Sequence, residues 1–298
     1  MVERDSFSLE DYSQDVRACV DRALDEYTAL PSGCPDHLRE AIRYSLLAPG
    51  KRLRPMLVLM AAEACRGNRE AALPAACAVE MIHTYSLIHD DLPAMDDDDV
   101  RRGLPTCHKA FGEGVAILAG DALVTLSFEV LARDIHPPAV AAECCRVLAQ
   151  AAGATELVGG QADDLNEQFS SGRLETLESI HRRKTGAMFL VSLRLGALVA
   201  GAGAVERTAL DEYGARLGLV FQITDDLLDV RGDATAMGKR AGKDSQRGKL
   251  TFPGLLGVEE SVRRARLLVA EARAALEPLG SRAESLLALA HYVLERKQ

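Results

Sequence analysis

His89-Asp90-Asp91-Leu92-Pro93-Ala94-Met95-Asp96-Asp97-Asp98-Asp99 is the stretch whose reading decides the rest of the chain. Upstream of it, Leu73 to Leu87 is apolar and rich in Ala and other helix formers, which predicts a buried helix. Pro93 disfavours helical geometry at Leu92, so Asp90 and Asp91 fall in the last turn. Carboxylates are badly placed there, because the helix dipole already concentrates partial negative charge at that end. Asp96 to Asp99 add further acid before the first cations, Arg101 and Arg102. A run of acids is ordinarily a solvated loop. The alternative is a hard cation among the carboxylates, Mg²⁺ above all, since it takes oxygen ligands. This stretch alone does not choose between them.

A second cluster does. Phe221-Gln222-Ile223-Thr224-Asp225-Asp226-Leu227-Leu228-Asp229 follows another long apolar segment. On a helix Asp225 and Asp229 share a face, and Gln222 lies about one turn before Asp225. Like charges at that spacing repel unless a cation sits between them. Two acidic patches, each closing an apolar helix, point to one shared metal site.

The composition agrees with helices. Of 298 residues 48% are apolar, with Ala and Leu dominant, while aromatics are 4% and Trp is absent. That favours helix-on-helix packing over a β-sandwich. A formal charge of −9 excludes a nucleic-acid partner, which would need a basic surface. The seven cysteines form no CxxC pair and no zinc spacing, as expected in a reducing cytoplasm. Met1 to Asp15 is acidic and polar, without the pattern of a secretory or transit peptide. Thr185 to Val205 is the most apolar long stretch, but Arg194 interrupts it, so a buried core helix is expected and no membrane span.

Helical patterning recurs along the chain. It covers residues 1–30, His37 to Leu47, Met56 to Ala64, Phe111 to Leu131, Val140 to Gly160, Leu174 to Ala200 and Ala209 to Val230. Two closing helices, Glu259 to Leu276 and Ser281 to Glu295, carry no evident chemistry. No stretch alternates convincingly as a strand, so the expectation is an all-α bundle forming a single domain over 1–298. Ahead of the helix at Met56, the run Gly50-Lys51-Arg52-Leu53-Arg54-Pro55 carries cations against the dipole. A bound phosphate would account for them. The Gly/Lys-rich loop from Gly238 through Gly248-Lys249-Leu250-Thr251 is not a P-loop, because its glycine spacing is wrong and Leu250 follows the lysine.

Together, two carboxylate clusters with Lys51, Arg54, Arg101, Arg102, Lys184 and Lys239 describe a pocket for diphosphates. Carboxylates alone repel a diphosphate; bridged by Mg²⁺ they bind it. Lys51 and Arg54 offer a second, metal-free diphosphate site. The apolar helices around them suit a hydrocarbon tail and a carbocation that needs shelter from water.

The sequence resembles the trans-isoprenyl diphosphate synthases of the bacterial farnesyl and geranylgeranyl diphosphate synthase kind. The likeness runs from Gly50-Lys51-Arg52-Leu53-Arg54-Pro55 to Gly248-Lys249 and includes both aspartate motifs in order. It implies the isoprenoid synthase fold, a helical bundle around a central cavity, assembled as a homodimer. It implies Mg²⁺, three per active site and replaceable by Mn²⁺. Carried over by position, Asp90 and Asp96 match the first-motif ligands with Asp91 beside them, and Asp225 matches the second, supported by Asp226 and Asp229. Lys51, Arg54, His83 and Arg102 match the residues that hold isopentenyl diphosphate. Arg101, Lys184 and Lys239 match those that hold the allylic diphosphate, with Lys249 as a helper. Thr185, Gln222, Gln161 and Asp164 match positions near the reacting carbons or the metal shell. A lone helical His is usually a core residue, but His83 lies seven residues before Asp90 and so on the same face.

The implied reaction is ionisation, condensation and elimination. In this family, bulk just upstream of the first motif limits the product, and Tyr85 and Ser86 stand there. An aromatic at Tyr85 and the insertion around Pro93-Ala94 resemble the farnesyl-producing enzymes. Farnesyl diphosphate is therefore the expected product, with geranylgeranyl diphosphate the alternative. A class I terpene cyclase would carry an Asn/Ser/Glu metal motif at the second cluster and would not need Lys51 and Arg54. A non-catalytic synthase subunit would lack one of the two Asp motifs.

Overall fold

The computed structural model describes residues 7–167, 172–230 and 250–296. Numbered among these residues, the helices are α1 (Leu9–Tyr27), α2 (Asp36–Leu46), α3 (Leu53–Ala64), α4 (Arg69–Asp90), α5 (Cys107–Phe111), α6 (Glu113–Asp134), α7 (Pro138–Ala152), α8 (Leu157–Glu167), α9 (Leu174–His181), α10 (Ala187–Val199), α11 (Ala204–Val230), α12 (Phe252–Leu256), α13 (Val258–Ala275) and α14 (Glu284–Glu295). The all-α expectation holds, and the departures from it are local. The helix expected over Phe111 to Leu131 breaks at Gly112, whose φ of 85° few other residues adopt, giving α5 and α6. The one expected over Val140 to Gly160 breaks at Gly153 into α7 and α8. Leu174 to Ala200 stays continuous but passes through a π-helical turn, Arg182–Gly186. The chain also contains a hairpin too short to show as alternation. Its strands, β1 (Val100–Arg101) and β2 (Leu104–Pro105), flank Arg102 and Gly103, both with positive φ.

The core surrounds α4. Asn68 caps its start by accepting from the Glu70 N–H at 2.7 Å. From Ala72 to Ile88 the helix is buried on most of its circumference. It packs against α1, α2, α3, α6 and α10. Small residues let these helices approach closely. At Gly196 on α10 an added Cβ would lie 2.1 Å from the Val58 carbonyl oxygen of α3, so the two backbones touch. A second cluster, Leu177, Ile223, Leu227, Phe252 and Ala265, ties α9, α11, α12 and α13 together.

Two helices, α4 and α6, are long and apolar enough to cross a membrane by length and composition. In the fold, α4 is an interior helix, whereas α6 leaves Ile117 and Leu118 exposed at 43% and 55%.

Of the cations at Lys51 to Arg54, one belongs to the core. Arg52 sits in left-handed backbone (φ 49°) with its side chain buried. It bonds Glu80 at 2.8 Å and Asp21 at 2.7 Å. Buried charge is tolerated only when paired in this way. Lys51 and Arg54 remain candidates for the pocket.

The crossing at Gly196 yields a prediction. Gly196→Ala gains helix propensity, but its methyl has no room against the fixed Val58 carbonyl. A net loss of about 1–3 kcal/mol is expected in urea unfolding. A variant as stable as the parent would show that α10 and α3 can separate freely.

Candidate active site

The C-terminal end of α4 is closed by the loop that follows it. Asp96 N–H donates to the Asp90 carbonyl at 2.8 Å, Asp97 N–H to Leu92 at 3.1 Å, and Asp98 N–H to Asp91 at 3.2 Å. Carbonyls that a helix end leaves without partners are thereby satisfied, and Asp96 is folded back beside Asp90. The acidic run divides. Asp91 is buried, and its two oxygens accept from Arg101 Nε, at 2.8 Å each, and from Nη2 at 2.5 Å. Asp97 and Asp99 are exposed on the outer side of the loop, where Asp99 pairs with Lys109 at 2.9 Å. One trio of potential metal donors lies within 4.8 Å among the described residues, and it is Asp97, Asp99 and His108, outside the set expected from sequence.

Asp90 is the stressed member. Burial pushes its carboxyl up to about 6; Lys184 opposes this, while Asp96 and Asp91 add to it. Lys184 stands on the π-helical turn. At Gly160 on α8 an added Cβ would be 2.5 Å from Lys184 N, so α8 docks directly on that backbone. Lys184 Nζ reaches Asp164 at 2.7 Å, and the adjoining Arg183 pairs with Asp163. Burial would lower the Lys184 ammonium, but Asp164 and Asp90 outweigh it and raise it, so the amine stays charged.

From the same turn, Thr185 Oγ1 donates to Gln222 Oε1 at 3.3 Å, and Gln222 Nε2 donates to Asp226 at 3.0 Å. The other Asp226 oxygen accepts the Phe252 N–H at 2.9 Å. Asp226 is thus engaged in fastening α12 to α11. Asp229 is also buried. Asp225, half-exposed, meets Arg296 Nη2 at 2.5 Å.

A cationic group lies beside it. Burial and Arg296 lower the Lys51 ammonium, and Asp225 raises it. Burial pushes the Arg54 guanidinium down to about 10, against the pull of Glu80. Its Nε is buried without a partner among the described residues. Arg102 lies against Gly50, where an added Cβ would be 2.9 Å from its Nη1. His83 is held well below its usual range by burial, then by Arg54, Arg102, Arg101 and Arg52. Guanidinium groups beside a neutral imidazole have the charge and donors to hold an anion.

Two residues sit below the first motif. Tyr85 packs its ring edgewise on His89, and Ser86 donates its hydroxyl to the His83 carbonyl at 2.9 Å. Gln161 is buried with both amide atoms unpartnered among the described residues. Lys239 and Lys249 lie outside the described residues.

The chain just beyond the closing helices reaches the second acidic cluster: Arg296, after α14, bonds Asp225, Thr224 Oγ1 at 2.8 Å and the Phe221 carbonyl at 2.8 Å. It also stacks 4.0 Å from the Phe221 ring centre. The only hint in the sequence is the basic pair Arg296-Lys297.

Hard carboxylate donors, an Asp90 pressed towards protonation, and the unpartnered Gln161 amide together fit a divalent cation. Mg²⁺ keeps several waters and binds through one or two carboxylates with substrate oxygens, so the acids need not touch one another. A prediction follows from the Asp91 clamp. Arg101→Met strips a buried carboxylate of its partner, and an unfolding free energy lower by about 3–5 kcal/mol is expected in a denaturant titration. Parent-like stability would mean that Asp91 finds water or another cation.

A family model described as polyprenyl synthetase matches residues 35–277. A farnesyl diphosphate synthase of Escherichia coli (strain K12) is 45% identical over 299 residues, covering 97% of this chain and 100% of its own. A geranylgeranyl pyrophosphate synthase of Arabidopsis thaliana is 48% identical over 284 residues, covering 93% of this chain and 81% of its own. Among solved structures, a FPP/GFPP synthase from Zymomonas mobilis superposes with a TM-score of 0.87 at 41% identity, covering 96% of this chain and 98% of its own.

Proposed function

The chain belongs to the polyprenyl synthetase family and is a trans-prenyltransferase with the isoprenoid synthase fold; from that premise we propose that it joins isopentenyl diphosphate head-to-tail to allylic diphosphates, with farnesyl diphosphate as its main product. The observation that carries this is the division of charge in the pocket. Asp90 and Asp96 face the ammonium of Lys184, while Arg54 and Arg102 gather around a neutral His83 and Lys51 lies by Asp225. One diphosphate can be held through metal and the other by cations alone.

Asp90 and Asp96 with Asp91, and Asp225 with Asp229 and Asp226 behind it, would hold Mg²⁺, which when bound would neutralise charge that develops on a departing diphosphate. We take three ions per site, replaceable by Mn²⁺, with Asp164 in the outer shell. The remaining tasks fall to the chain. Lys184 and Arg101, with Lys239 and Lys249, hold the allylic diphosphate oxygens. Lys51, Arg54, His83 and Arg102 hold isopentenyl diphosphate so that its double bond faces the allylic carbon. Thr185 and Gln222, already bonded to each other, line the reacting carbons, and Gln161 offers its amide to the metal-bound waters or to substrate. The apolar walls of α4, α6 and α10 exclude water from the cation. The proton lost on restoring the double bond goes to the departed diphosphate. Tyr85, with Ser86, forms the floor.

The residues act as one domain, supported by a core that runs from Val16 on α1 to Val293 on α14. The exposed Ile117 and Leu118 on α6 suit the seam of a homodimer in the cytoplasm. Sedimentation should then give twice the 32.1 kDa chain mass, and Leu118→Glu should shift it towards one; a monomeric parent would remove this proposal.

The decisive assay supplies Mg²⁺, isopentenyl diphosphate and dimethylallyl diphosphate to purified protein. A fifteen-carbon alcohol is expected after dephosphorylation. Chelation should abolish its formation, and Asp90→Ala or Asp225→Ala should slow it roughly a hundredfold or more with the fold intact. A twenty-carbon product would favour the geranylgeranyl alternative, which relatives such as the Arabidopsis protein represent. Diphosphate release without isopentenyl diphosphate would point to a cyclase, and no turnover to a silent subunit.

A further inference from the structure

The floor residue has no polar anchor. Tyr85 is half-buried on α4, and no hydrogen bond holds its hydroxyl among the described residues. By helical rise its Cα lies about 7.5 Å below that of Asp90. What fixes the ring is the next side chain along that face. His89 lies one turn on, its ring centre 5.7 Å from that of Tyr85 and inclined by 81°, an edge-to-face contact.

His89 in turn is held by α6 in two ways. Its Nε2 lies 3.1 Å from the Ile117 carbonyl oxygen. That oxygen can only accept, so Nε2 carries the proton and donates. The ring also occupies a slot that exists because residue 120 is glycine. A Cβ at Gly120 would lie 2.1 Å from Nε2, 2.6 Å from Cδ2 and 2.9 Å from Cε1. The slot and the hydrogen bond together fix the imidazole plane, and the plane fixes Tyr85.

We infer that His89, seated in the Gly120 slot of α6, is a positioning residue that buttresses the Tyr85 ring and thereby sets how long a chain the cavity accepts. The inference rests on the synthase reading above and adds a specificity determinant on the residue preceding the first metal ligand, working with one on a different helix. Because His89 adjoins Asp90, changes there will also alter turnover. The readout is therefore the ratio of twenty- to fifteen-carbon products, which a general loss of rate leaves unchanged.

The test measures that ratio for the parent and for Tyr85→Ala, His89→Ala, His89→Gln, His89→Phe and the double variant Gly120→Ala/His89→Ala. Thermal melts establish which of them fold. His89→Gln keeps an N–H donor for Ile117 but has no ring, so it serves if His89→Ala is unstable. His89→Ala and His89→Gln should raise the ratio roughly tenfold, in the direction of Tyr85→Ala. His89→Phe keeps an aromatic edge and should stay near the parent. The double variant refills the slot with a methyl, so it should recover stability yet keep the lengthened product. A double variant with the parent's ratio would reduce His89 to a packing residue, and the inference would fall. It would fall as well if Tyr85→Ala lengthens the product and neither His89→Ala nor His89→Gln does, with the synthase reading untouched. A parent protein that elongates nothing would instead overturn that reading, and the buttress with it.

Discussion

Carboxylates collected at the C-terminal ends of helices have nothing in the helices to stabilise them, and the architecture around the pocket answers that strain. Several of these acids are met by a cation from elsewhere in the chain. Arg101 grips Asp91 from the hairpin, Lys184 bonds Asp164 and faces Asp90 from the π-helical turn, and Arg296 reaches Asp225 from beyond α14. These pairings bring together the ends of α4, α8, α10 and α11. Asp90 is the acid that remains under-compensated, with its carboxyl pushed up to about 6 chiefly by burial. Elsewhere an under-compensated buried acid would be a fault; in the proposed site it is the group assigned to the metal.

Much of this could be read in the sequence, because the strongest signals are local. Pro93 after an apolar run puts two acids at a helix end whatever the tertiary structure, and α4 does end at Asp90. Seven-residue spacing placed His83 on the face of Asp90, and the structure surrounds it with guanidinium groups. The helix count was less legible. Breaks at Gly112 and Gly153 are invisible to periodicity when apolar residues continue on both sides.

What could not be read depends on contacts distant in sequence. Arg296 stands 71 residues from Asp225, and an isolated arginine after a helix has no pattern to mark it. Asp225 and Asp226 are adjacent and chemically identical, yet one faces the pocket's cations and the other fastens α12 through Phe252 N–H. Arg52, between Lys51 and Arg54, looks like a third pocket cation and is instead sealed against Glu80. Neighbouring residues on a helix point about 100° apart, so a motif letter says which side chains are present and not which of them look inwards.

The π-helical turn at Arg182–Gly186 has a further consequence. Such a turn accommodates one residue more than an α-helix would, so it behaves as an insertion absorbed without breaking the rod. Deleting a single residue there would let the segment revert to regular α geometry with the helices on either side kept in phase, so the change would fall on the turn itself. Arg183 and Lys184, which now divide their attention between Asp163 and Asp164, would lose that registration together. The shorter helix would be the more regular one, and its lysine would lose the bulge that presents it.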